Sequence, residues 1–307
     1  MNKLSIIIPV YWNEDTLELL FSDLKKKVFD YLENYEVVFV DDGSGDNSWN
    51  VIHEIKSREK NVKAVKLSRN FGEHAALLAG LSVCTGDCAV TKQADLQENS
   101  SLIIEMYDSW KAGNKVVLAA RANRKDGLFT KLFAGIYYKL IRKIVTNRMP
   151  AGGCDCYLID RQVINELLKL DEMNSSLTLQ VLWCGYKTDV IYFNRDERKG
   201  NSKGRWTFSK KFKLLLDSFI SFSYIPIRLM WIVGFCFFVF SILMGVDIFI
   251  EYFTRGVPIA GWTSLICVVL LSSSLILWML GMIGEYVWRT FDASRNRKPF
   301  IIDEILL

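Results

Sequence analysis

The sequence predicts an α/β protein with a mostly parallel sheet, followed by a two-helix transmembrane hairpin. Two observations predict it. Short apolar runs of four to six residues alternate with helical stretches of ten to fifteen through the N-terminal part. Two long apolar runs, Leu229–Ile250 and Trp262–Ile283, then lie back to back near the C-terminus.

The alternation opens with the strand Ser5–Val10 and a helical stretch from Asp15 to about Asp30. Glu36–Val40 reads as a second strand and Asn47–Arg58 as a second helix. Val62–Leu67, Cys88–Thr91 and Val116–Ala120 read as further strands, with helices from about Glu73 and Ser100. Gly127–Met149 and Thr207–Ser223 place apolar residues at helical spacing beside lysines and arginines. Such basic amphipathic helices either pack on a core or lie in a membrane interface. For Thr207–Ser223 the interface is favoured, because a span follows directly.

Each long run holds 22 residues, about 33 Å as a helix, which is enough to cross a bilayer. Asp247 is the single charge in the first, and the second has none. A globular helix rarely stays apolar on every face for so many turns. Basic residues flank the pair: Lys210, Lys211, Lys213 and Arg228 before, Arg289, Arg295, Arg297 and Lys298 after. Lys and Arg collect on the cytoplasmic side, so both termini are expected there, with Arg255 opposite. Leu4–Val10 is too short for a signal peptide and contains a proline. The expected division is a cytoplasmic domain at 1–206, a juxtamembrane segment at 207–228, two spans within 229–288 and a cytoplasmic tail at 289–307. The expected location is the cell inner membrane, multi-pass.

A net charge of +4 gives no general attraction to nucleic acid. The positive charge is local, beside the spans, and suits anionic lipid headgroups. The seven cysteines form no paired CxxC motifs, and two histidines build no histidine-rich metal site. Cys154-x-Cys156 reads as reduced structural thiols, with a metal or redox pair as the alternative.

Polar residues cluster where the early strands end: Tyr11-Trp12-Asn13-Glu14, Asp41-Asp42-Gly43-Ser44 and Gln93-Ala94-Asp95-Leu96-Gln97. In open α/β sheets ligands bind beyond the carboxyl ends of the strands. The pair Asp41-Asp42 suits hydrogen bonds to a base or ribose; turn formation and helix capping are the alternative. The calcium-loop spacing fails, since counting from Asp42 puts Asn47 and His53 where glycine and glutamate are needed. On an extended segment Gln93, Asp95 and Gln97 would point one way and offer three oxygens to a hard cation; otherwise they form a polar loop.

The ordered set resembles family 2 glycosyltransferases, in the branch that uses polyprenyl phosphates. The resemblance rests on Ser5–Glu14, Val40–Ser44, Leu67–Gly72 and Ala94–Gln97. It continues through Arg121, Asp155, Asp160-Arg161 and Arg198-x-Gly200-x-Ser202-Lys203 to the terminal hairpin, and so covers nearly the whole chain. It implies a GT-A-type domain in which Pro9, Tyr11, Glu14, Asp41 and Asp42 hold the nucleotide. Gln93, Asp95 and Gln97 match the motif for Mg²⁺ or Mn²⁺ and the diphosphate. Asp95, Arg121, Arg198 and Lys203 match catalytic positions, and Asp155, Ser202 and Lys203 acceptor positions. Two departures stand out. Gln93 replaces the first aspartate of Asp-x-Asp, which weakens the ligand set. Cys154-Asp155-Cys156-Tyr157 replaces Gly-Asp-Phe-Arg and loses an arginine.

The resemblance implies inverting transfer of a sugar from a UDP- or GDP-sugar to a polyprenyl phosphate such as undecaprenyl phosphate. The implied partners are those two substrates and membrane lipids, with homo-oligomers compatible. Transfer to a polysaccharide hydroxyl is an alternative, although Arg205-Trp206 lacks the glutamine of Gln-x-x-Arg-Trp. A degenerate, non-catalytic binder of sugar nucleotide or lipid phosphate is another.

Overall fold

Apolar runs bounded by turn residues form one eight-stranded sheet in the computed structural model. The structure describes residues 2–122, 135, 137–143, 145–170, 176–194, 225–255, 261–295 and 297–307. In chain order the first elements are β1 (Leu4–Val10), α1 (Leu17–Lys27), β2 (Tyr35–Asp41), α2 (Ser48–Arg58), β3 (Val62–Leu67), α3 (Glu73–Val83), β4 (Cys88–Thr91), α4 (Leu102–Lys111) and β5 (Val116–Arg121). The later ones are β6 (Cys154–Asp160), α5 (Arg161–Leu167), α6 (Leu177–Trp183), β7 (Thr188–Phe193), α7 (Ile225–Arg255), α8 (Trp262–Ser294) and β8 (Ile302–Leu306).

The sheet order is β7-β5-β6-β4-β1-β2-β3-β8. The central strands β4, β1, β2 and β3 are parallel, and so are β5 and β7. Strand β6 runs against both β4 and β5, and β8 against β3. The expected mostly parallel sheet is therefore present, with two reversals outside its core. Both faces of β1 and β2 are covered, which is why their sequences are continuous apolar runs rather than alternating ones. Pro9 sits in β1 without breaking the ladder: β4 ends at Thr91 opposite Ile7, so no neighbour there needs the missing N–H. Helix α3 lies so close to β1 that a Cβ on Gly80 would stand 2.4 Å from Ile7 Cγ2.

At the amino ends of β1 and β2 sits the buried Glu36. Its carboxylate accepts from Lys3 Nζ at 2.8 Å, Ser5 Oγ at 2.7 Å and Thr85 Oγ1 at 2.9 Å, and pairs with Lys63 Nζ at 3.0 Å. Burial pushes its pKa up, but these donors outweigh burial and hold the carboxyl below the usual range.

The chain forms two units, Met1–Ser218 with Lys298–Leu307, and Phe219–Arg297. The second contains α7 and α8, of 31 and 33 residues, both long and apolar enough to cross a membrane. Their apolar side chains face outward: Trp231, Phe238, Leu243, Leu271 and Leu277 are each more than 60% exposed, which water does not favour. The tail expected over 289–307 divides. Helix α8 continues to Ser294, and Ile302–Leu306 returns as β8 on the edge of the sheet. The register pairs Val65 with Ile305, and the Ser68 N–H donates to the Ile301 carbonyl at 3.0 Å. The juxtamembrane stretch Thr207–Ser223 lies outside the described residues. Of the stretch Gly127–Met149, residues 137–143 are helical with Ile141 buried, and Met149 is buried beyond that helix.

Candidate active site

Four parallel strands end at one edge, and the loops that follow them interlock. Val10 pairs with Asp41, so 11–14 and 42–48 begin side by side, while Ile7 pairs with Thr91, so 92–98 leaves the sheet about three residues earlier along β1. The Trp12 N–H donates to Ser44 Oγ at 3.0 Å and the Asn13 N–H to Ser48 Oγ at 2.9 Å. Glu14 closes the same seam, accepting from the Asn47 N–H at 2.8 Å. Trp12 adopts a left-handed φ of 56° and is half exposed, with Tyr11 edge-on at 6.3 Å between ring centroids. Strain of this kind is held in place by the hydrogen bonds around it.

The two adjacent acids do different work. Asp42 accepts from the Phe71 N–H at 2.7 Å and the Gly72 N–H at 2.9 Å, one on each oxygen. It thereby ties the loop between β3 and α3 to the end of β2. Gly43 makes that approach possible, because a Cβ there would meet the Arg69 carbonyl carbon at 2.6 Å. Asp41 is completely buried. Its Oδ1 accepts from the Ser44 N–H at 3.1 Å, while Oδ2 has no hydrogen-bond partner among the described residues. Burial raises the pKa of both carboxyls, against the donors at Ser44 for Asp41 and at Phe71 and Gly72 for Asp42. A buried acceptor without a donor costs about 1–3 kcal/mol, so Asp41 Oδ2 suits a ligand hydroxyl or N–H.

The chain does not stay extended after β4. Ala94 and Asp95 form a turn, Leu96 takes a left-handed φ of 57°, and Asp95 Oδ1 accepts from the Gln97 N–H at 3.2 Å. Strand alternation therefore does not decide where Gln93, Asp95 and Gln97 point, contrary to the expectation of an extended segment. Beneath the turn Lys92 Nζ donates to the Glu98 carbonyl and stands 3.5 Å from its carboxylate; both side chains are buried. Gln93 Nε2 donates to Glu73 Oε1 at 2.5 Å, across from the first residue of α3.

Arg121 ends β5 in register with Phe193. Next to it, Ala119 pairs with Cys156 and Ala120 with Cys154, which leaves Asp155 as an extra residue in β6. Bulges of this kind recur beside active sites. Neither Cys154 nor Cys156 forms a disulfide among the described residues, and Cys154 Sγ donates to the Cys156 carbonyl at 3.0 Å. Arg198, Ser202 and Lys203 lie outside the described residues.

The site edge thus brings together Pro9, Tyr11, Glu14, Asp41 and Asp42 with the turn holding Gln93, Asp95 and Gln97. Residues 5–168 match the model for glycosyl transferase family 2, just over half of the chain. The chain belongs to glycosyl transferase family 2. Its sheet is accordingly a GT-A-type α/β domain, and the protein is a glycosyltransferase. The chain is 35% identical to the uncharacterized glycosyltransferase YkcC of Bacillus subtilis (strain 168), over 98% of this chain and 93% of that protein. It is 32% identical to the bactoprenol glucosyl transferase of Shigella phage SfV, over 98% of each. The crystal structure of S. aureus TarS 1-349 overlaps 62% of this chain and 60% of that one, at 20% identity and a TM-score of 0.45, too loosely to carry weight.

Three residues at this edge were not singled out from sequence: Glu73, Lys92 and Glu98. Lys92 was the readable one, a lone charge between an apolar strand and a polar turn. Glu73 pairs with a residue 20 positions away, and no local pattern announces that contact.

Proposed function

We propose that this glycosyltransferase moves a sugar from a UDP- or GDP-sugar to a polyprenyl phosphate, undecaprenyl phosphate being the expected form, at the cytoplasmic face of the inner membrane. The observation that carries this reading is that similarity to a bactoprenol glucosyl transferase spans 98% of both chains and so includes the two apolar helices. An acceptor with a lipid part gives a transferase domain a reason to end in such a hairpin.

The donor half follows from the edge of the sheet. Asp41 Oδ2 offers an unmet acceptor to the base or ribose, and the half-exposed Trp12 offers a ring face beside Tyr11. The diphosphate then falls toward the turn after β4. Gln93, Asp95 and Gln97 carry the oxygen donors that hard cations accept, and Asp95 brings a carboxylate, so the residues fit Mg²⁺ or Mn²⁺. Such a cation, when bound, offsets the negative charge that grows on the departing nucleoside diphosphate.

The acceptor half needs little proton transfer, because a lipid phosphate is already anionic at neutral pH. Its difficulty is repulsion between two phosphate groups. Arg121, Arg198 and Lys203 supply the opposing charge and Ser202 a hydroxyl, with Asp155 at the bulge of the neighbouring strand. Direct attack by the phosphate inverts the anomeric carbon. Within the hairpin an apolar groove of about 470 Å³ runs between the start of α7 and the end of α8, lined by Ile227, Met230, Ile283, Val287 and Phe291. Its lining suits an isoprenoid chain.

The test is acceptor dependence. Detergent-solubilised enzyme is given a panel of radiolabelled UDP- and GDP-sugars, with undecaprenyl phosphate or with a polysaccharide. Label extracted into organic solvent only when the lipid phosphate is present supports the proposal. Label in polysaccharide alone sinks it.

A further inference from the structure

The turn after β4 is one carboxylate short. Gln93 and Asp95 together bear a single negative charge, where the Asp-x-Asp pattern would bear two. A cation that bridges a diphosphate is held by charge as well as by oxygen count, and a neutral amide is the weaker ligand. The structure places a second carboxylate beside that deficit from another element. Glu73 opens α3, and its Oε1 receives the amide of Gln93 at 2.5 Å.

The orientation of this contact is dictated by chemistry. An amide can turn either its nitrogen or its oxygen toward a neighbour, but a carboxylate accepts only the nitrogen. With Nε2 committed to Glu73, Gln93 Oε1 is left to face another partner. Among the described residues no lysine or arginine pairs with Glu73. A second observation concerns Tyr157 on β6. Its backbone N–H donates to Thr91 Oγ1 at 3.1 Å, two residues before Gln93. Its hydroxyl is completely buried and has no hydrogen-bond partner among the described residues. Beside Glu73, then, lies an amide oxygen left to another partner, and the strand next to β4 holds a buried phenol with unmet hydrogen-bonding capacity among the described residues.

We propose that Glu73 supplies the carboxylate that position 93 lacks, so that Glu73, Asp95 and the amide oxygens of Gln93 and Gln97 together bind the divalent cation and the donor diphosphate. This rests on the nucleotide-sugar reading given above. No group of three His, Cys, Asp or Glu side chains gathers among the described residues, so amide and diphosphate oxygens complete the ligand set.

The test measures binding rather than turnover. Full-length enzyme in detergent is titrated with Mn²⁺ alone and with Mn²⁺ plus UDP or GDP, and free Mn²⁺ is read by electron paramagnetic resonance. Glu73→Gln should weaken Mn²⁺ binding in the nucleotide complex at least tenfold, while nucleotide binding without metal stays within threefold of the parent. Gln93→Asp added to Glu73→Gln should restore most of the loss, because one carboxylate then stands in for the other. Equal Mn²⁺ binding by Glu73→Gln and the parent overturns the inference alone. Loss of metal-free nucleotide binding in Glu73→Gln also overturns it, and assigns Glu73 to the fold. A parent enzyme that binds UDP or GDP but no Mn²⁺ overturns the cation reading together with this inference. A parent that binds neither nucleotide overturns the donor reading itself.

Discussion

Lys92 and Glu98 form a buried pair across the base of the turn that carries Asp95. The lysine donates to the glutamate's backbone carbonyl and lies 3.5 Å from its carboxylate, with side-chain exposures of 2% and 1%. One contact thus fixes both ends of a seven-residue segment, 92–98, whose middle holds a left-handed Leu96. Removing one member of such a pair leaves a buried charge without its counterion.

The first prediction follows. Lys92→Met should destabilise the enzyme by about 3–5 kcal/mol, since Glu98 loses the cation buried against it. Adding Glu98→Leu should recover part of that loss. Thermal unfolding of both variants in detergent checks the direction and the coupling. Equal stability of Lys92→Met and the parent would show that the turn holds itself.

A second prediction concerns acid. Glu36 has a folded-state pKa below its unfolded value, so its contribution to stability is present above the unfolded pKa. It is lost as pH falls toward the folded one. Its lysine partners are 28% and 18% exposed, which screens the pairs, so Glu36→Gln should cost about 2–3 kcal/mol at pH 7. The difference between variant and parent should shrink steadily from pH 5 to pH 3. A constant difference across that range would contradict the assignment.

Asp41 carries a third. Its unmet Oδ2 is expected to accept a hydrogen bond from the nucleotide, with the carboxylate charge-assisting it. Asp41→Ala should weaken UDP or GDP binding by about 1.5–3 kcal/mol, roughly ten- to a hundredfold, by titration calorimetry. Unaltered affinity for both nucleotides would place the base elsewhere.

Lys203 carries a fourth, on the acceptor side. Lys203→Ala should raise the apparent KM for undecaprenyl phosphate by about tenfold or more, as expected when a charge-assisted phosphate contact is lost. The donor KM should move less. Steady-state kinetics with each substrate varied in turn separates the two, and a change confined to the donor would move Lys203 to the nucleotide site.

Much of the fold was legible because its signal is local. Strands β1 to β5 are short, apolar and bounded by polar turns, and they fall within a residue of their expected ends. The site edge followed, since parallel strands send their polar ends to one side. Strand β6 was not legible: Cys154-Asp155-Cys156-Tyr157 shows no clean alternation, and a bulge interrupts its register. Strand β8 was not either, because two of its five residues are acidic and its partner β3 lies more than 200 positions earlier. Within the site, Asp41 and Asp42 look alike in sequence. Only packing separates them: Asp42 binds two loop amides, whereas Asp41 keeps one oxygen unmet among the described residues. The contact between Glu73 and Gln93 belongs to the same class of fact, set by how α3 lies against β1 and β2.

The most direct test of the central claim is the stoichiometry and identity of the products. With undecaprenyl phosphate and the correct nucleotide sugar, one nucleoside diphosphate should be released for each lipid formed. Mass spectrometry should show that lipid as undecaprenyl phosphate plus one sugar, and Asp95→Ala should produce neither. Release of a nucleoside monophosphate with a sugar-phosphate lipid, or nucleoside diphosphate release that ignores the lipid, would contradict the account.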